Sequence, residues 1–85
     1  MKIIFTSHAI RDKFLQLSQH RFDVTKGDIE SVITNPEHID KISDYPKIIV
    51  SKEFDRKHIL RVVYKIESGI IKVITFYPAE KGRYY

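Results

Sequence analysis

At 85 residues, 42% hydrophobic and 12% aromatic with only three Gly and three Pro, the chain is one folded domain with one core, not a disordered segment or a division of labour between domains. The absence of cysteine excludes a disulfide framework, a thiolate zinc site and a cysteine nucleophile; the histidines at 8, 20, 38 and 58 lack the i, i+4 spacing of a helical metal pair, so no metal or other cofactor is expected. The net charge of +4 is uneven: residues 1–45 carry six basic and seven acidic side chains, and residues 46–85 carry nine and four. A polyanion such as RNA or DNA, or an acidic protein segment, would be drawn to the second half, unless its Lys and Arg merely solvate exposed strand positions.

In chain order, residues 2–5 are a short β-type run, too brief for a signal peptide or a membrane span, which makes the cytoplasm the expected compartment. Ser7 is an N-cap candidate, and Ile10, Phe14 and Leu17 recur at helical spacing, predicting a first helix over residues 8–20. Thr25 caps a second helix, with Asp28 three residues on in a capping-box arrangement. Ile29, Val32 and Ile33 form its apolar stripe and Asn35-Pro36 its stop. Residues 37–45 read as a polar connection. Three strands follow, over 47–51, 58–66 and 70–77, the last two joined by a Ser68-Gly69 turn in which Gly tolerates positive φ. The expected fold is α+β: two N-terminal helices on an antiparallel sheet, ending in a C-terminal hairpin and a short basic-aromatic tail.

If that turn sets the register, Ile66 faces Ile71, Tyr64 faces Val73, Val62 faces Thr75 and Leu60 faces Tyr77 on the core side. The other side then carries Ile59, Arg61, Val63 and Lys65 across from Pro78, Phe76, Ile74 and Lys72, half apolar and half basic. Lys65 opposite Lys72 calls for a nearby acid, a bound anion or simple exposure at the hairpin tip. The tail, Glu80-Lys81-Gly82-Arg83-Tyr84-Tyr85, interleaves the cations and aromatic rings that meet phosphates and stack on bases; such a tail equally packs on its own sheet or docks on a partner.

The order helix, helix, strands, together with His8-Ala9, Lys13-Phe14, Asn35-Pro36, Leu60-Arg61-Val62-Val63-Tyr64, Ile74-Thr75-Phe76-Tyr77-Pro78-Ala79 and Arg83-Tyr84, resembles the RelE and BrnT toxins of type II toxin–antitoxin pairs over nearly the whole chain. The resemblance implies a RelE-like fold and a metal-independent endoribonuclease acting on messenger RNA, often on the ribosome. It also implies a cognate antitoxin that wraps the basic sheet, as a toxin–antitoxin hetero-oligomer or beside a homodimer. RNA supplies its own nucleophile, the 2′-OH, so a base, a cation and an acid suffice. On this reading Arg61 grips the scissile phosphate, Arg83 is a second clamp, Tyr84 stacks or transfers a proton, and His8, at the start of the first helix, is the general acid or base. Lys13 and His20, on one helical stripe, border the same cleft, and Lys57, Lys65, Lys72, Phe76 and Lys81 complete the RNA surface. Each has a plainer reading: Arg61 as a surface ion pair, His8 as a packing or capping residue, Arg83 and Tyr84 as a loose tail.

Two other functions use the same residues. A non-catalytic RNA- or DNA-binding module needs only the basic face. A protein-interaction subunit would pair Ile59, Val63, Ile74 and Phe76 with an amphipathic helix or with its own copy.

Overall fold

Thr25 sits in extended backbone and accepts the Asp28 N–H through its hydroxyl (3.1 Å), while the Asp28 carboxylate accepts the Thr25 N–H (2.9 Å), so the expected capping box is formed. Thr25→Ala should cost about 0.5–2 kcal/mol, read as a lowered urea midpoint. A computed structural model of the chain describes residues 2–5 and 8–82, the side chains of residues 8–10 excepted. The Ser7 cap, Arg83 and Tyr84 lie outside the described residues, as does the side chain of His8. The elements run β1 (Lys2–Phe5), α1 (His8–Gln19), α2 (Lys26–Thr34), β2 (His38–Asp40), β3 (Ile48–Glu53), β4 (His58–Glu67) and β5 (Ile70–Glu80). α1 closes with Arg21 at φ 68 and with Phe22 N–H donating back to the Leu17 carbonyl (2.8 Å), a helix stop that turns both apolar side chains inward.

The protein is α+β, with two helices and a five-stranded sheet in the order β1-β5-β4-β3-β2. The sheet is mixed rather than antiparallel, because β1 pairs with β5 in parallel, Ile3 beside Ile71 and Phe5 beside Val73. β2 is an addition to the three expected strands. It lies antiparallel to β3 within the stretch read as polar connection, and three residues are too few to show an alternation.

The β4–β5 hairpin turns at Ser68 (φ 51) and Gly69 (φ 73), and Ile66↔Ile71 and Tyr64↔Val73 pair as expected. Beyond them a bulge intervenes: Tyr64 pairs with Val73 but Val63 pairs with Thr75, leaving Ile74 as the extra residue of β5. The alternation of β5 therefore inverts. Val62 pairs with Phe76, Arg61 with Tyr77 and Leu60 with Pro78, not with Thr75, Phe76 and Tyr77 as simple alternation has it.

Both helices pack on one face of the sheet. Leu17 of α1 and Ile29, Val32 and Ile33 of α2 join Val50, Leu60, Val62, Tyr64, Val73 and Phe76 in a single core. Phe76 is fully buried, its ring 4.6 Å from Phe14, which in turn meets Phe5 at 6.0 Å. Phe76 is thus a core residue and not part of an RNA surface, and the expected apolar patch of Ile59, Val63, Ile74 and Phe76 does not form.

Candidate nucleic-acid interface

The opposite face of the sheet carries no helix among the described residues. Four polar side chains cross it in one row, each the direct cross-strand neighbour of the next: His38 on β2, Ser51 on β3, Arg61 on β4 and Tyr77 on β5. At about 4.8 Å between strands the row spans about 14 Å. Arg61 is only 8% exposed, and its guanidinium lies 5.8 Å from the centre of the Tyr77 ring, a cation–π contact that fixes its direction. Ser51 is fully buried, and its hydroxyl makes no hydrogen bond among the described residues.

Asp40, at the end of β2, accepts the backbone N–H groups of Ser43 and Ile42 at 3.0 Å each. These bonds, the Ser43 hydroxyl and the charge of Arg61 hold its carboxyl below the ordinary carboxylate value. The row is flanked at this corner by a fixed negative charge. On the opposite flank of the row, a pocket of about 330 Å³ opens between Glu37, His38, Glu53, Ile59, Lys81 and Gly82.

The remaining basic residues divide. Lys65 and Lys72 stand opposite each other at the hairpin tip, on the face of Arg61. Their apposition is relieved by Glu67, which pairs with both, at 3.2 and 3.1 Å. A nearby acid therefore accounts for the two lysines without a bound anion. Lys81 pairs with Glu53, and Lys57 sits in the β3–β4 connection, where its carbonyl accepts the Lys81 N–H (2.8 Å). Lys13 and His20 belong to the α1 layer: Phe14 of that helix packs on Phe76, on the side of the sheet away from Arg61. They do not share a cleft with Arg61, because the sheet itself lies between them. His8 is the first residue of the same helix.

The sequence reading missed His38, Ser51 and Tyr77. Simple alternation puts Tyr77 on the core side, and it is the bulge at Ile74 that brings it beside Arg61. His38 and Ser51 become neighbours only through β2.

Three carboxylates are stabilised in their charged form. Lys72 and then Lys65 lower Glu67, the backbone N–H of Lys57 and then the His58 ring lower Asp55, and Asp40 is lowered as described. Depressed folded values mean that these contributions are complete above the ordinary 4.5 and 3.8 and are lost as pH falls through the lower folded values. The melting temperature should therefore fall as pH is taken from about 5 to about 3, and Glu67→Gln should flatten part of that fall in a calorimetric pH series.

Comparison of the chain with family models, with curated proteins and with solved structures found no match in any of the three.

Proposed function

We propose that the chain is the toxin of a type II toxin–antitoxin pair with a RelE-like arrangement, a metal-independent endoribonuclease that cuts messenger RNA in the cytoplasm on the face of its sheet opposite the helices. The observation that carries this reading is the row His38, Ser51, Arg61 and Tyr77, with a held arginine between a phenol and a small hydroxyl and an imidazole beyond. The strand order supports it too, since two helices precede a hairpin whose outer strand takes β1 as a parallel neighbour.

A phosphodiester lying over Ser51 has Arg61 on one side and His38 on the other, each one strand away. His38 takes the proton of the 2′-OH as its oxygen bonds to phosphorus. Arg61 donates to the non-bridging oxygens as charge builds on the phosphorane, and Tyr77 protonates the 5′-oxygen as the P–O bond breaks. The products are a 2′,3′-cyclic phosphate and a free 5′-hydroxyl. The proton-accepting role expected of His8 passes to His38, which shares the face of Arg61. An antitoxin covering this face would silence the enzyme by occupying the row.

The test is incubation of the purified chain with end-labelled RNA in EDTA. Cleavage leaving cyclic phosphate ends, lost in Arg61→Ala and reduced in His38→Ala, is the expected result. Intact RNA in the presence of folded wild-type protein would refute the nuclease, and salt-dependent binding without turnover would leave a nucleic-acid-binding module instead.

A further inference from the structure

β2 forms one edge of the sheet, and an edge strand offers a row of backbone donors and acceptors to another chain. Five large apolar side chains are exposed among the described residues, and three of them are here: Ile39 at 55%, Ile42 at 86% and Tyr45 at 82%. We infer that β2 pairs antiparallel with β2 of a second copy, about a two-fold axis through Ile39, joining two five-stranded sheets into one of ten strands.

The choice of a second copy rests on charge complementarity in β2 and the residue to either side of it, Glu37-His38-Ile39-Asp40-Lys41. With the axis at Ile39, that side chain faces its own copy and His38 faces Asp40 of the second chain, while Glu37, just before the strand, comes beside Lys41, just after it, where the chain bends away. Every pair is apolar with apolar or base with acid. Neighbouring registers fail. A two-fold axis through a sheet keeps its faces, so it passes through a residue and not between two; one through His38 sets Glu37 against Ile39, and one through Asp40 sets two carboxylates face to face.

The structure prepares these groups. Glu37 is held at the start of the strand by accepting the Glu53 N–H (2.7 Å), and Asp40 is pinned by Ile42 and Ser43. Ile39 is the cross-strand neighbour of Val50, so two copies of it extend the core layer across the axis. His38 and Asp40 lie on the face of Arg61, so each copy brings a carboxylate to the far end of the other's row. The contact is isologous and closes as a dimer.

Two experiments test the pairing in the full chain, and neither depends on RNA cleavage. The chain has no cysteine, so Ile39→Cys supplies its only thiol. Directly opposed residues of an antiparallel pair have Cα atoms about 4.5–5.5 Å apart, within the span of a disulfide. Diamide should cross-link Ile39→Cys into dimers at least about tenfold faster than Leu15→Cys, an exposed site on α1. In sedimentation equilibrium, Glu37→Lys and Lys41→Glu should each weaken self-association about tenfold. Their equimolar mixture should recover it, because the mixed pair sets two lysines of one chain against two glutamates of the other. A wild-type chain monomeric up to millimolar concentration, equal cross-linking at the two cysteine sites, or a mixture no tighter than its components would each overturn the inference.

Discussion

Phe76→Ala should destabilise the protein by about 3–5 kcal/mol, a large part of the roughly 5–15 kcal/mol that holds a domain of this size together. The ring is fully buried against Phe14, so its removal leaves a cavity in the core. At about 4–8 °C per kcal/mol for a small domain, the melting temperature should drop by more than about 12 °C. The measurement also tests the β5 bulge, because strict alternation from the Ser68-Gly69 turn would put Phe76 on the face without helices. A loss under about 1 kcal/mol in a urea titration would place it there.

The second large effect belongs to Arg61. Arg61→Ala should lower the rate of RNA cleavage about 10²–10³-fold, the scale of removing one preorganised donor to a charge that develops in the transition state. Arg61→Lys should recover only part of it, since an ammonium lacks the planar fork that grips two phosphate oxygens. The side chain is largely buried, so both variants are compared by circular dichroism first. A fall in rate at unchanged melting temperature assigns the loss to chemistry. Full activity in a folded Arg61→Ala chain would remove the residue from the site.

The elements that could be read from sequence were those whose signals are local. Thr25 and Asp28 cap α2 because a hydroxyl and a carboxylate three residues apart satisfy each other's backbone, whatever the tertiary context. Ser68-Gly69 turns the hairpin because the chain there needs two consecutive positive φ angles. What escaped was non-local. The parallel partnership of β1 with β5 joins the two ends of the chain, and nothing in Lys2–Phe5 announces its neighbour. One extra residue, Ile74, exchanges the faces of everything beyond it, so Phe76 moved to the core and Tyr77 moved out to Arg61. Arg61, Lys65 and Lys72 lie on the face expected of them, because β4 carries no insertion and Lys72 precedes the bulge in β5, so alternation runs unbroken from the turn to each. Lys13 and His20 share a helical stripe, but spacing along a helix does not say which face of the sheet the helix covers, and the sheet separates them from Arg61.

The proposed nuclease is tested most directly by expression in a bacterial host. Wild-type chain and the Arg61→Ala variant are induced side by side, and growth and messenger RNA integrity are followed together. Growth arrest with RNA cleavage, absent from the variant at equal expression, is the predicted result. Undisturbed growth and intact RNA in cells accumulating the folded wild-type protein would contradict it.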